Sequence, residues 1–374
     1  MIYHLAKYLV SLGEPFDILR VLTYVSTRSI AAMITTLLLI LLFAPATIKA
    51  LYSAGQRDIN RDFDSHLAKS KRGTPTMGGI LILGSLMMSL LLWSDWTNRF
   101  LWPVVATIIV FGFLGALDDI AKVRGGSAES GLSRRTKLII QTTFGLALGI
   151  FLYHPASSPF PMEMKDVIGI PFLKPEVFGG FDVHLYWFYI PFAAFVIVAV
   201  SNAVNLIDGL DGLAAGTTLL PIIVYGVFAY IMGNSNWSAY LLYPFMPGVH
   251  ELVVFIAALS GGLIGFLWYN GYPAEIFMGD TGSLSLGGIL AALVLLTKQE
   301  LLFVIAGGLF IFVNVTHLIG DRIGINLLGR RIFYRTPIHH AFEHLGVAET
   351  KVVLRFWIVS LALALMAIAT LKLR

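Results

Sequence analysis

Cysteine is missing from all 374 residues, and charge is scarce: Asp, Glu, Lys and Arg together make up only 13% of the chain. The first absence excludes disulfides, thiolate metal sites and a cysteine nucleophile, while saying little about compartment. The second excludes an ordinary soluble globule, whose charged fraction is nearer about a quarter. The N-terminal stretch MIYHLAKYLVSLGEPFDILR also has no small-residue cleavage site after a compact apolar core. With its Glu-Pro interruption it reads as an amphipathic lead-in and not as a cleaved signal peptide.

What the chain has in quantity is apolar: 57% of residues are hydrophobic and mean hydropathy is +0.80. Long runs lie near residues 28–48, 77–94, 100–117, 138–153, 184–201, 213–232, 251–269, 283–297, 300–319 and 352–371. As helices of about twenty residues, each would cross about 30 Å of hydrocarbon. The runs are continuous instead of alternating over about ten residues, which argues against a membrane β-barrel. They take up about half the chain and leave no stretch for a separate soluble head. The expected fold is an all-α integral membrane protein of about ten transmembrane helices, one polytopic domain over residues 1–374.

Alternate loops differ in charge. One set holds Lys49, Arg57, Arg61, Lys69, Lys71 and Arg72, then Lys122, Arg124, Arg134, Arg135 and Lys137, then Arg322, Arg330, Arg331, Arg335 and Lys351. The loops of the other side hold Arg99, Lys165, Lys174 and Lys298. By the positive-inside rule the first set is cytoplasmic and both termini are outside. The same sorting sends four polar clusters to the cytoplasmic face, where a site can use a water-soluble compound and a lipid headgroup together. A carboxylate at the bilayer centre costs roughly 2.5–3.5 kcal/mol on insertion scales, so acids in such a chain belong at a face or serve a function.

GALDDIAKVRG puts Asp118 and Asp119 at the end of the third run, with Lys122 after them. Adjacent carboxylates repel, which favours a bound cation or protonation of one of them; a solvated helix end is the plainer reading. SNAVNLIDGLDGL spaces Asn202, Asn205, Asp208 and Asp211 three apart, with Gly209 and Gly212 interrupting the helix. Across all four the helical direction drifts by about half a turn, so they would cup a volume suited to ribose, a base edge or Mg-bound water, unless they merely cap a glycine turn. YNGYPAEIFMGDTGSLSLGG sets Asp280 in an N-cap-like position at a helix start, where free N–H groups favour an anion and the aspartate favours its metal; capping the helix itself is the alternative.

HLAKSKRGTPTMGG adds basic groups beside a glycine-rich helix start, a weak phosphate signal because any cytoplasmic loop carries such groups for topology. RTPIHHAFEH adds His339, His340, Glu343 and His344, with His339–Glu343 and His340–His344 spaced to pair along a helical turn. The HExxH order is absent and no thiolate helps, so hydrogen bonding to a diphosphate or sugar is the better reading than zinc.

With these residues in order, the chain closely resembles the bacterial phospho-N-acetylmuramoyl-pentapeptide transferases, within the polyprenyl-phosphate N-acetylhexosamine 1-phosphate transferases. KRGTPTMGG, GALDDIAKV, NAVNLIDGLDGL, GFLWYNGYPAEIFMGDTGSLSLGG, PIHHAFE and KVVLRFWIVSLALALMAIATLKLR carry the resemblance along nearly the whole chain. It implies ten transmembrane helices in the bacterial inner membrane, a homodimer, dependence on Mg²⁺, and transfer of phospho-MurNAc-pentapeptide from UDP-MurNAc-pentapeptide to undecaprenyl phosphate, giving lipid I and UMP. No nucleic-acid partner is expected.

By the same resemblance Asp118, Asp119, Asp280, His339 and His340 are catalytic, with Asp280 on the metal. Lys71, Thr76, Lys122, Asn202, Asn205, Asp208, Asp211, Asn270 and Phe277 bind substrate. The family's usual histidine run is three long, and here Ala341 stands third. Asp321 and Arg322 receive no role. Direct attack and a two-step route through a phospho-aspartate both fit the sequence. Two other functions compete: transfer of GlcNAc 1-phosphate on the same scaffold, and a secondary transporter, whose coupling acids would sit near the midplane and not at one face.

Overall fold

The computed structural model describes residues 1–56, 73–127, 130–180, 182–320 and 336–373. Lys71, Asp321 and Arg322 lie outside the described residues. A short helix α1 (Ile2–Ser11) leads in, as the amphipathic pattern implies, and lays Tyr3 and Ala6 against the protein. After it come α2 (Val25–Ser53), α3 (Gly79–Trp93), α4 (Leu101–Gly125) and α5 (Arg134–Tyr153). The long connection after α5 carries the only strand pair among the described residues, β1 (Val167–Ile168) antiparallel to β2 (Val183–His184). Then follow α6 (Tyr189–Ile207), α7 (Leu213–Met232), α8 (Ser235–Leu241), α9 (Glu251–Asn270), α10 (Gly279–Leu296), α11 (Phe303–Ala306), α12 (Gly308–Leu318), α13 (Ile338–His344) and α14 (Glu349–Ala369).

Helices therefore stand at all ten apolar runs, but they are not ten equal spans. Eight described helices are long and apolar enough to cross a membrane. The other two runs give α3, of 15 residues, and α12, of 11. At 1.5 Å per residue these reach about 22 and 16 Å, short of the roughly 30 Å hydrocarbon thickness. The ninth run breaks because Gly307 separates α11 from α12, so the continuous apolar stretch is two stacked pieces and not one rod.

The helix α10 is the hub. Its window is 89% buried, against 22% for α2 and 33% for α14, and it packs on α3, α4, α6 and α7. Small residues let the backbones meet, as is usual where helices associate in lipid. A Cβ added at Gly79 would lie 2.2 Å from the Gly282 nitrogen, and one at Gly115 would lie 2.3 Å from the Asp280 carbonyl. These two contacts press α3 and α4 onto the first turn of α10 and fix where Asp280 stands.

At the other end of α10 a buried polar group has formed among apolar side chains. Lys298 Nζ donates to the Lys165 carbonyl at 2.8 Å and sits 3.7 and 4.4 Å from the ring centroids of Tyr189 and Phe160. Tyr189 Oη donates to Glu300 Oε1 at 3.1 Å. Burial pushes the Glu300 carboxyl up to about 7 against the opposing pull of Lys298, and burial pushes the Lys298 amine down to about 7 against the charges of Glu300 and Asp166.

A carboxyl whose folded pKa is raised contributes stability that is complete below its ordinary value of 4.5 and is lost as pH rises through about 7. The shift corresponds to roughly 3 kcal/mol. Glu300→Gln, which keeps the uncharged form, is expected to flatten the fall in melting temperature of the detergent-solubilised protein between pH 4.5 and 7. An unchanged slope in the variant would show that Glu300 is not the group responsible.

Candidate active site

The site forms where α4, α5, α6 and α10 bring their same-side ends together. On α4, Asp118 and Lys122 are one turn apart and pair, Lys122 Nζ to Asp118 Oδ2 at 2.7 Å. Ser133 caps α5 by accepting from the Thr136 N–H, which places Lys137 in the first turn. Lys137 Nζ lies 2.9 Å from Asp118 Oδ2 and 2.9 Å from Asp280 Oδ2, and Lys122 Nζ lies 3.1 Å from Asp280 Oδ2. Two carboxylates and two ammonium groups thus form a closed square. Asp118 is fully buried within it. Asp118 also accepts from the Leu132 N–H at 2.7 Å, so one carboxylate anchors both the square and the start of α5.

Asp119, its neighbour in sequence, does something different. Its carboxylate accepts the backbone N–H groups of Asp280 and Thr281, each at 2.9 Å, and the Thr281 hydroxyl at 2.6 Å. It caps α10 from another helix and is 4% exposed. The reading of Asp280 as an N-cap beside free phosphate-binding N–H groups is therefore corrected. The first-turn donors are already taken by Asp119, and Asp280 turns its side chain into the square.

From α6, Asn205 Nδ2 donates to Asp280 Oδ1 at 3.1 Å and to Ser283 Oγ at 2.9 Å. One turn on, a Cβ added at Gly209 would meet His339 Nε2 at 2.4 Å and His340 Nε2 at 3.0 Å. The histidines of α13 are thereby linked to the aspartate square through the end of α6 and the turn that follows it. Their rings lie 4.3 Å apart, His339 is fully buried, and His340 pairs with Glu343 at 2.9 Å. That pairing is i to i+3, not the i to i+4 pairing expected for these histidines. Ala341 is buried and His344 exposed.

The other expected residues lie on neighbouring segments. Asn202 is exposed and donates to Gln141 Oε1 at 2.8 Å, so the Asn202–Asp211 series does not cup a single volume. Asp208 closes α6. Asp211 is buried and accepts the Ala274 N–H at 3.1 Å. Asn270 bridges Gly212 and Ile276 through its side chain. Phe277 and Thr76 sit in paired extended segments, with the Phe277 N–H donating to the Pro75 carbonyl at 2.8 Å and the Thr76 N–H to the Gln56 carbonyl at 3.0 Å.

Three contributors were not singled out for the site by their sequence. Lys137 counts there only as topological charge; the excess of acids over Lys122 was the available signal that a second cation is needed. Ser283 was noted as part of a glycine-rich turn. Glu349, which accepts the Asp211 N–H at 2.9 Å, gave no signal at all.

The arrangement fits a divalent cation. Two hard oxygen donors converge, and they already hold two positive charges, the amount one Mg²⁺ carries; the ion favours one or two carboxylates, with phosphate and water completing its six oxygens. Lysines released from the carboxylates are then free to meet phosphate oxygens.

Comparison with known proteins places this geometry in a family. A profile described as Glycosyl transferase family 4 matches residues 101–298, and phospho-N-acetylmuramoyl-pentapeptide-transferase signature 1 matches residues 71–83. The chain is 42% identical over 375 residues to the phospho-N-acetylmuramoyl-pentapeptide-transferase of Maridesulfovibrio salexigens, covering all of both chains. It is 45% identical over 379 residues to that of Citrifermentans bemidjiense, again over all of both, and 43% identical to that of Desulfovibrio desulfuricans, covering 98% of this chain and 99% of the relative. The chain belongs to the phospho-N-acetylmuramoyl-pentapeptide transferase family.

Proposed function

We propose that this protein transfers phospho-MurNAc-pentapeptide from UDP-MurNAc-pentapeptide to undecaprenyl phosphate, forming lipid I and releasing UMP. The observation that carries the reading is the square of Asp118, Lys122, Lys137 and Asp280, where acids and bases from distant segments converge. The matched signature favours the muramoyl-pentapeptide branch over transfer of GlcNAc 1-phosphate. The clustering of acids at one end of the bundle speaks against a transporter with coupling groups at mid-membrane.

In this reading the square faces the cytoplasm, both termini face outward, and the whole chain is one polytopic domain of the bacterial inner membrane. The charge asymmetry of the loops supports that orientation. A homodimer belongs to the proposal on the strength of the family resemblance alone.

An oxygen of the lipid phosphate forms a bond to the β-phosphorus of the nucleotide sugar, and the bond from that phosphorus to the bridging oxygen breaks, leaving the electron pair on UMP. Two anions must approach. At about 4 Å each pair of unit charges repels by roughly 4 kcal/mol at an effective dielectric of 20. Lys122 and Lys137 offset this by moving from carboxylates onto phosphate oxygens. Asp118, once released by the lysines, accepts the proton of a monoanionic lipid phosphate. Asp280, oriented by Asn205, would hold Mg²⁺. When bound, that ion neutralises the diphosphate and polarises the phosphorus under attack. Asp119 positions α10, and His339 and His340 hydrogen-bond the diphosphate or sugar from the far side of Gly209.

The test is the purified full-length protein in detergent with undecaprenyl phosphate, Mg²⁺ and each nucleotide sugar in turn. Lipid-linked product and UMP in equal amounts are expected from UDP-MurNAc-pentapeptide, and none from UDP-GlcNAc. The reverse preference would move the protein to the other branch, and no UMP from either would remove the reading.

A further inference from the structure

The end of the bundle opposite the square carries chemistry that the transfer reaction does not use. Between α5 and α6 the chain places Glu176, Asp182 and His184 so that one ligating atom from each lies within 4.8 Å of the others. These residues line a cavity of about 760 Å³, together with Lys298 and Gln299 from beyond the end of α10.

Two further observations point to a ligand there. His184 is oriented: its Nδ1 lies 3.2 Å from Oδ1 of the buried Asp166, whose other oxygen accepts the Tyr186 N–H at 3.2 Å. A carboxylate on Nδ1 fixes the tautomer and ring and leaves Nε2 as the coordinating atom, the usual support of a metal-binding histidine. Gln299 lines the same cavity, is 2% exposed, and has a buried Oε1 with no hydrogen-bond partner among the described residues. An orphaned acceptor of this kind is costly unless something donates to it, and water on a bound cation is such a donor.

We infer that Glu176, Asp182 and His184 form a divalent metal site, with water on the ion reaching toward Gln299. The donor set of one imidazole and two carboxylates, without thiolate, suits Zn²⁺ held by three protein ligands with an open position. The site would cross-link the 3₁₀ turn at Glu176 to β2. It lies at the far end of α10 from Asp280, so it stands or falls independently of the transfer reaction.

The experiment uses the full-length protein in detergent, stripped by chelator and kept in millimolar Mg²⁺ throughout, and titrated with Zn²⁺ by calorimetry and by elemental analysis after dialysis. A stoichiometric Zn²⁺ with a rise in melting temperature is expected. Asp166→Asn is expected to weaken binding by about 10–100-fold, with Glu176→Gln and His184→Gln weakening it further. Glu176 is exposed, so its variant keeps the fold and the test does not hang on His184→Gln folding. His340→Ala should bind Zn²⁺ as the unsubstituted protein does. Equal binding by Glu176→Gln and the unsubstituted protein, or a loss confined to His340→Ala, would overturn the assignment, as would no stoichiometric binding at all.

Discussion

Asp280→Asn is expected to fold and to lose turnover by roughly 10²–10⁴-fold, with no recovery as Mg²⁺ is raised, a loss on the scale of removing a central charge-stabilising group. The substitution keeps the side chain's size, its α10 position and its bond from Asn205, but removes the charge that meets both Lys122 and Lys137. An amide there neither draws in a divalent ion nor balances the two ammonium groups. Because Asp119 and not Asp280 caps α10, the helix start survives the change, and the melting temperature should move little beside the loss of rate. Single-turnover assays over a Mg²⁺ series check this. Turnover near the unsubstituted level would detach Asp280 from the metal.

Lys137→Met should be nearly as damaging, and in two ways. The ammonium group contacts Asp118 and Asp280 at 2.9 Å each, and Asp118 is fully buried. Taking one partner from a buried charge typically costs about 3–5 kcal/mol, since the remaining charge is left uncompensated. Here Lys122 still reaches Asp118 at 2.7 Å, so the stability loss should fall toward the lower end of that range. The rate should fall by roughly 10²-fold or more, because a group that meets the reacting phosphates is gone. A variant that melts lower yet turns over normally once refolded in substrate would make Lys137 a structural residue only. Lys137→Arg separates the two effects: it restores charge but forks it, so stability should recover more than rate.

The sequence carried the fold in outline because lipid leaves few alternatives. Long apolar runs in a chain with so little charge must be helices, and helices stand at all ten. The ninth run fell short as a single helix because hydropathy does not register a break in the backbone: Gly307 sits inside an apolar run and splits it without changing its composition. The short β1–β2 ladder was invisible for a related reason, since two paired residues make no periodic pattern.

The centre of the site was legible to the extent that its residues had unusual neighbours. Asp118 beside Asp119 stood out, as did Asp280 in a glycine-rich turn and His339 beside His340. Their division of labour was not legible. Adjacent aspartates on a helix point about 100° apart, so one enters the square while the other caps α10, and only the position of the neighbouring helix decides which. Lys137 was hidden for the opposite reason. It follows Arg134 and Arg135 at a helix start beside a basic loop, and nothing local separates a lysine that orients a protein in the membrane from one that holds a carboxylate.

The burial of α10 has a consequence for how such a centre tolerates its surroundings. The helix that carries Asp280 touches protein on every side, while α2 and α14 offer most of their surface outward. Changes in bilayer thickness or acyl composition therefore act first on the outer helices and reach the Asp280 carboxylate only through the helices packed on α10. The molecule works in a fluid solvent with its chemistry mounted on the one rod that solvent does not wet.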